Sequence, residues 1–159
     1  MQTSMRFTTA LTILACISHY KEERVTSEFV ARKIKVNPVT VRSIIGQLRN
    51  AGIVKVRRGV GGAVFARAPE QITFMDVYRA IDEVLYEEGQ LVFRFPESRT
   101  PDCPLARSFQ LSLRGRLIQV QRIMVECFSN MTLADLIRDF ERCLKSDGFD
   151  PFTRAGDKN

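Results

Sequence analysis

The sequence predicts a mainly α-helical protein with a small β-hairpin wing, in which a winged helix-turn-helix is followed by a long dimerisation helix. Three observations predict this class. Two helical segments are separated by about three residues just before Asn37, which is the spacing of a helix-turn-helix. A glycine-rich hairpin, residues 57–62, follows the second segment. A helical segment beyond residue 104 carries two apolar stripes, so one stripe needs a surface outside its own domain.

The first two helices are predicted from hydrophobic spacing and from capping residues. Apolar residues recur every three or four positions over residues 5–19, as in an amphipathic helix. Thr26 or Ser27 is suited to cap a second helix that ends near residue 34, and Glu28 is favourable in its first turn. The second of these helices and the helix that follows it form the predicted helix-turn-helix.

The third helix, predicted over residues 38–50, has signals at both ends. Asn37 is a good N-cap, Pro38 fits the first helical position, and Gly52 can adopt the left-handed conformation that ends a helix. Short strands are predicted at 53–57 and 63–67, on either side of the sequence RRGVGG. The helix is expected to turn these side chains towards the core: Val41, Ile44, Ile45 and Leu48.

The rest of the chain is predicted to hold three further helices. Thr73 and Asp76 have the spacing of a capping box for a helix that ends near residue 84. The expected organisation is a winged helix-turn-helix DNA-binding domain at 1–85, a regulatory connecting loop at 86–104, a dimerisation helix and a C-terminal helix at 105–148, and a disordered tail at 149–159. The residues assigned to the dimer interface are Leu113, Leu117, Val120 and Met124.

Charge divides the chain into a basic and an acidic part. The formal net charge is +6. Residues 1–68 carry 12 Lys/Arg and 3 Asp/Glu, a balance of +9, whereas the remainder carries 12 and 15, a balance of −3. A basic first half favours a nucleic-acid surface there, followed by a module with another task. The alternative is that the basic residues only solvate helix faces.

The first turns of the third helix and the wing are the predicted DNA contacts. In a helix-turn-helix, the start of the second helix enters the major groove, where arginine can bind guanine with two hydrogen bonds. Arginines on a glycine-rich wing suit the minor groove or the flanking phosphates. The predicted DNA-binding residues are Asn37, Val39, Thr40, Arg42, Ser43, Arg49, Arg57, Arg58, Gly59, Gly61 and Gly62.

Other classes of function are disfavoured by the sequence. The single histidine, His19, has no nucleophile–base motif around it, so no enzyme activity and no catalytic residue are expected. One histidine and four dispersed cysteines make a poor metal site, and no cofactor is expected. No apolar run approaches the length of a membrane span, so we expect a cytoplasmic protein with reduced thiols.

Cys103 is the candidate regulatory residue. It lies between two prolines, just before the long helix, and has Arg99 and Arg107 nearby in sequence. A thiol close to a helix N-terminus and to arginines is expected to have a lowered pKa, which makes it reactive towards oxidants. The alternative is an inert loop cysteine.

The stretch LRNAGIVKVRRGVGGAVFA resembles the wing signature of the Rrf2 family of bacterial transcription regulators, and the resemblance covers about nine tenths of the chain. NPVTVRSIIGQL and DCPLAR are most similar to its YwnA-like branch. The resemblance implies a homodimer whose long helix forms the interface and whose Arg58 enters the minor groove. Cluster-binding members carry three closely spaced cysteines, whereas this sequence has only Cys103 between residues 84 and 105, and Thr9 stands where one member supplies an aspartate ligand.

The predicted function is therefore a homodimeric, sequence-specific DNA-binding transcription regulator. We expect a repressor with a thiol-redox or small-ligand switch, whose partners are a pseudo-palindromic double-stranded operator and a second copy of the chain. Two alternatives stay open. One is a regulator controlled by docking of a metabolic enzyme, and the other is an iron–sulfur or metal sensor.

Overall fold

The computed structural model describes residues 2–57, 59, 61–81 and 103–146. These residues form six α-helices, one short 3₁₀ helix and a two-stranded antiparallel sheet, which confirms the predicted fold class. The elements are α1 (Gln2–His19), α2 (Ser27–Ile34), α3 (Pro38–Asn50), β1 (Val54–Val56), β2 (Ala63–Phe65), the 3₁₀ helix (Pro69–Gln71), α4 (Phe74–Ile81), α5 (Pro104–Asn130) and α6 (Leu133–Lys145).

The helices lie close to their predicted bounds, whereas the strands are shorter than predicted. α1 begins three residues earlier than expected, at Gln2, and α5 extends to Asn130. Each strand has three residues instead of five. β1 is shorter because the amide of Ile53 belongs to the end of α3 and the backbone of Arg57 belongs to the hairpin turn. The predicted end of α4 near residue 84, most of the connecting loop and the tail lie outside the described residues.

The core lies where α1, α2, α3 and α4 meet, and no polar or charged side chain is buried among the described residues. Of the predicted core positions in α3, Ile45 is half-buried and the other three are buried. Burial of this apolar surface is the main stabilising term, at about 25 cal/mol per Å². The fully buried large side chains are Ile13, Leu14, Ile17, Val25, Val30, Val41, Ile44, Leu48, Ile53, Val54, Ile72 and Leu133.

Both ends of α3 are fixed by the residues that the sequence indicated. Asn37 accepts a hydrogen bond from the amide of Val39, at 2.8 Å, through its side-chain oxygen. At the other end Gly52 has a φ of 68°, and its amide donates to the carbonyl of Arg49. The amide of Ile53 donates to the carbonyl of Leu48 at 2.9 Å, which completes a Schellman motif and directs the chain into β1.

The base of the wing is fastened to the turn between α1 and α2. The amide of Ala63 donates to the carbonyl of Val25 at 2.8 Å, beside the β1–β2 pair. Gly62 has a φ of 87°, and a Cβ there would lie 2.9 Å from the backbone nitrogen of Val25. Only glycine fits this position, because both its conformation and its distance from the neighbouring backbone exclude a side chain.

Two capping boxes join the first part of the structure to α5 and α6. Thr73 and Asp76 form the box of α4, as predicted, and Thr132 and Asp135 form that of α6. The two threonines pair as an isolated antiparallel bridge, flanked by a 2.7 Å bond from the Leu133 amide to the Ile72 carbonyl. The hydrogen bonds from Thr132 hold the pKa of Asp135 below its ordinary value.

An aromatic cluster closes the same joint from the other side. The ring of Phe128, near the end of α5, stacks on Phe7 of α1 at a centroid distance of 5.3 Å. Phe74 and Tyr78 of α4 meet both rings edge-on, at centroid distances of 5.7–6.2 Å. The last turns of α5 are therefore held by α1 and α4 through packing as well as through the backbone bridge.

The capping box of α6 leads to a stability prediction. Thr132→Ala removes the oxygen that accepts from the Asp135 amide, so the free energy of unfolding should fall by about 1 kcal/mol at pH 7 in urea titrations. Thr132→Ser keeps a hydroxyl and is the matched control. Because the pKa of Asp135 is lowered on folding, its stabilising effect is present above the ordinary aspartate range and is lost as the pH falls through the lowered pKa. Equal losses from Ala and Ser would contradict this role.

Candidate nucleic-acid interface

α3 presents one side to the core and the other to solvent. Val41, Ile44 and Leu48 are buried, and the opposite side carries exposed residues over its whole length. Val39, in the first turn of α3, is 69% exposed. The exposed residues of α3 beyond Pro38 are Val39, Arg42, Ser43, Arg49 and Asn50, and Thr40 is half-buried. Asn37 is exposed, but its side-chain oxygen is already used to cap the helix.

Arg42 is not a free arginine in this structure. Its guanidinium forms an ion pair with the carboxylate of Glu28, in the first turn of α2, and both side chains are more than half exposed. The pKa of Glu28 is lowered, first by a hydrogen bond to its own backbone amide and next by the bond from Arg42. The pair orients the guanidinium at the protein surface without burying it. An exposed pair of this kind is weak and can exchange for another anion.

Ser43 and its neighbour Gln47 are tied to α1. The guanidinium of Arg6 donates to the side-chain oxygen of Gln47 at 2.8 Å and approaches the hydroxyl of Ser43 at 3.5 Å. Arg6 therefore adds a third arginine to the neighbourhood of α3, beside Arg42 and Arg49. Arg6 was not predicted to belong to the interface, because it lies more than thirty residues from Ser43 and Gln47 in the chain and in a different helix.

The wing carries Arg57 at its base and is accompanied by residues from the turn before α2. Arg57 is exposed, and its guanidinium donates to the carbonyl of Lys21 at 3.4 Å. The guanidinium of Arg24 lies against Gly61, where an added Cβ would come within 3.0 Å of it. Gly59 and Gly61 have φ values of 79° and 73°, as expected for a glycine turn. Arg58, the other predicted wing contact, lies outside the described residues.

Arg24 and Glu28 are site residues that the sequence analysis did not include. Residues 21–24 form a charged turn that borders the helix-turn-helix. This turn is the sequence signal that could have assigned Arg24 to the interface. A cleft of about 160 Å³ separates the first turn of α2 from α3 and the wing, and Ser27, Arg42 and Gly62 line it. α3, the wing and the start of α2 thus border one surface.

α5 presents an uncovered apolar face. None of its residues is buried, and Leu105, Phe109 and Ile123 are each more than 60% exposed. Of the four residues predicted for a dimer interface, Leu113 and Val120 lie on this open face, at 38% and 48% exposure. Leu117 and Met124 are instead half-buried, as are the residues that lie on the same side of the helix: Ile118, Val125 and Phe128. We call Leu105, Phe109, Leu113, Val120 and Ile123 the open face of α5.

Cys103 is exposed at the N-cap position of α5, where its carbonyl accepts from the amide of Arg107. Its side chain forms no capping hydrogen bond. Cys16 is half-buried, and burial raises the pKa of its thiol, while the charge of Lys33 acts in the opposite direction. Among the residues that the structure describes, no three histidine, cysteine or acidic side chains come together as metal ligands. None of the described helices has the length and apolar content of a membrane span.

Three comparisons relate this fold and surface to known proteins. The Rrf2 family profile, described as that of an iron-dependent transcriptional regulator, matches residues 3–139. YwnA of Bacillus subtilis (strain 168), named as a candidate HTH-type transcriptional regulator, is 33% identical over 132 residues, or 83% of this chain and 94% of YwnA.

Solved structures give the same result. A protein described as a candidate DNA-binding protein is 32% identical with a TM-score of 0.63, covering 83% of this chain and 98% of its own. T. potens IscR is 26% identical with a TM-score of 0.60, covering 93% and 92%. The family and its relatives are transcriptional regulators and not enzymes, as the sequence predicted. The wing sequence, the winged helix-turn-helix fold and these matches agree, and the chain belongs to the Rrf2 family of transcriptional regulators.

Proposed function

We propose that this protein is a homodimeric regulator that binds a pseudo-palindromic operator through α3 and the wing. The observation that carries the proposal is the solvent-exposed side of α3, with Val39 and Arg42 uncovered beside a wing that presents Arg57. Those side chains contribute little to folding where they stand, since exposed arginines stabilise a protein only weakly. They are suited to contacts with an external polyanion that offers both phosphates and base edges.

Electrostatics supports a nucleic acid as that partner. The balance of +9 in residues 1–68 belongs to the part of the chain that forms α1, α2, α3 and the wing. Lysine and arginine side chains that neutralise phosphates release counterions, so affinity should fall steeply with salt. The start of α3 adds its helix dipole, which favours a phosphate nearby.

Base reading is assigned to Arg42 and Val39. Arginine binds guanine in the major groove, and an apolar side chain can contact the methyl group of thymine. Ser43 can add a hydroxyl to the same groove, while Asn37 mainly fixes the start of the helix. Arg49, Arg57 and Arg58 are assigned to phosphates or to the minor groove, and the glycines of the wing allow a close approach.

Glu28 is proposed to act on selectivity through Arg42. A phosphate anywhere on DNA would have to replace the carboxylate of Glu28 as the partner of Arg42. Exchanging one exposed anion for another gains little binding free energy. A guanine that offers two acceptors in the right geometry gains more, because a bidentate pair is worth about 1–3 kcal/mol of discrimination. The ion pair therefore lowers the affinity for unrelated DNA more than the affinity for the operator.

The open face of α5 supports the homodimer. Five exposed apolar side chains extend over nineteen residues of one helix, from Leu105 to Ile123, which is costly in a monomer. A second copy of the same helix, packed antiparallel or parallel, covers it with the same side chains. A two-fold dimer places two α3 helices on one side of a duplex, with half-sites about one helical turn apart.

The proposed control is a thiol switch at Cys103, at the exposed start of the same helix. A peroxide transfers one oxygen atom to the thiolate and leaves as water, giving a sulfenic acid that can form a disulfide with a second thiol. Movement of the start of α5 would alter the distance between the two α3 helices. If the reduced dimer occupies its operator, the protein represses transcription. We place it in the cytoplasm, where thiols are kept reduced.

An iron–sulfur cluster does not fit this chain. The segment between residues 84 and 105 holds one cysteine and no histidine, and the chain has a single histidine, at position 19. A cluster needs several thiolate or imidazole ligands in one place. A small ligand or a docked enzyme are the other possible signals, and neither is favoured by a specific contact among the described residues.

The first prediction concerns base reading. Arg42→Ala should weaken binding to an operator selected from random DNA by about 1–3 kcal/mol and relax the preference at one position in each half-site. Glu28→Gln is the matched variant, because it leaves Arg42 in place and removes the competing charge. It should strengthen binding to unrelated duplexes more than binding to the operator, as measured by fluorescence anisotropy. An unchanged preferred sequence for Arg42→Ala would remove Arg42 as a base reader.

The second prediction concerns assembly. Val120→Glu places a charge in the open face of α5 and should give monomers in sedimentation equilibrium, with loss of tight binding to the palindrome. Leu111→Glu is the control, since Leu111 is 67% exposed but lies on the opposite side of the helix, nine residues and two and a half turns away. It should remain dimeric. A stable monomer for the unmodified chain at micromolar concentration would contradict the proposal.

The third prediction concerns Cys103. Treatment with peroxide or diamide should reduce the operator affinity of the unmodified protein and leave that of Cys103→Ser unchanged. Mass spectrometry identifies the oxidised residue and any disulfide partner. Unchanged affinity in a sample whose Cys103 is fully oxidised would rule out the thiol switch.

A further inference from the structure

Gly46 is in the middle of α3, where glycine is unfavourable. A glycine inside a helix costs about 1 kcal/mol relative to alanine, because the unfolded backbone is more flexible and no side chain packs. Gly46 is the ninth residue of a thirteen-residue helix, so neither end of the helix explains it. An added Cβ would meet no atom within 4 Å, so the fold itself leaves room for a side chain.

The glycines of the wing and of the turn after α3 are explained by their backbone conformation. Gly52, Gly59, Gly61 and Gly62 all have positive φ, which side chains rarely adopt. Gly46 shares neither this conformation nor the close backbone contact of Gly62. No contact among the described residues therefore requires glycine at this position.

The surroundings of Gly46 are suited to an anionic partner. On a helix surface, a residue is surrounded by those three and four positions away. For Gly46 these are Arg42, Ser43, Arg49 and Asn50, and all four are exposed. Helical side chains lean towards the helix N-terminus, so Arg49 and Asn50 are the two directed over Gly46, whereas the guanidinium of Arg42 is paired with Glu28. Both Arg49 and Asn50 can donate hydrogen bonds to an anionic oxygen.

The position along α3 distinguishes a phosphate from a base edge. Gly46 is eight residues beyond Pro38, or about 12 Å along the helix axis. The major groove is about 8.5 Å deep, so a helix that enters by its first turns has Gly46 near the rim, where the sugar–phosphate backbone passes.

We propose that Gly46 is the point at which the sugar–phosphate backbone of DNA packs directly against α3, with Arg49 and Asn50 as its donors. This inference rests on the proposed DNA binding and adds a positioning residue to it. The contact sets how far α3 enters the groove, and so whether Arg42 and Val39 reach the bases. It carries no sequence information itself, because every nucleotide has the same backbone.

The test compares Gly46→Ala with Gly115→Ala. Gly115 is also inside a helix with no atom within 4 Å of an added Cβ, but its surface neighbours Leu111, Ser112, Ile118 and Gln119 include no cation. Both variants should unfold at a higher temperature than the unmodified protein, since alanine is the better helix former. Binding is measured by fluorescence anisotropy on a duplex selected from random DNA with the unmodified protein, and on an unrelated duplex of the same length.

Gly46→Ala should bind both duplexes at least about tenfold more weakly than the unmodified protein, with a loss at least as large on the selected duplex, because Arg42 and Val39 then no longer reach the bases. Gly115→Ala should stay within about twofold. The inference is overturned if Gly46→Ala binds as tightly as the unmodified protein, or if its loss is confined to one base pair of the operator. If the unmodified protein binds neither duplex, the proposed function fails as well, and this result is distinct from a loss seen only in the variant.

Discussion

Burial of the inner side of α3 is the constraint on which the rest of the structure depends. Val41, Ile44 and Leu48 have no solvent exposure, and α3 packs against α1, α2 and α4 through this side. Fixing these three side chains also fixes which residues face outward, because the two sides of one helix cannot be exchanged. Arg42 and Ser43 are exposed for that reason, and the half-buried Gly46 lies on the same side of the helix. The capping of Asn37 and the stop at Gly52 then set the length of the presented segment.

The same constraint reaches the wing and α5 through backbone bonds. Ile53 ends α3 and starts the wing, and the bond from Ala63 to Val25 returns the wing to the turn before α2. Further along, Arg67 forms an ion pair at 3.1 Å with Asp76, whose capping box adjoins the Thr73–Thr132 bridge and hence the end of α5. The exposed side of α3 and the proposed dimer helix are thus linked by short, specific contacts. A rearrangement at the start of α5, as the proposed switch requires, would have to reach α3 through this joint.

The fold was predictable because its signals are local. Asn37–Pro38, Gly52 and the two threonine–aspartate boxes act on neighbouring backbone groups, so the sequence alone places the helix ends within a few residues. The site was predictable only in part. Glu28 and Arg24 meet Arg42 and Gly61 across the tertiary fold, and the spacing along the chain gives no sign of either contact. Likewise, Leu117 and Met124 share a predicted stripe with Val120, but the way α5 packs on α4 leaves Val120 more exposed.

The most direct test of the account is a map of the DNA-binding surface by NMR. Amide resonances of the protein are followed while a duplex that carries the selected operator is added at low salt. Binding through α3 and the wing should shift amide resonances mainly in residues 37–50, in the wing and in residues 24–28, and leave α6 unchanged. Changes centred on α6 or on the open face of α5, with residues 39–46 unaffected, would contradict the claim that the exposed side of α3 is the surface that binds DNA.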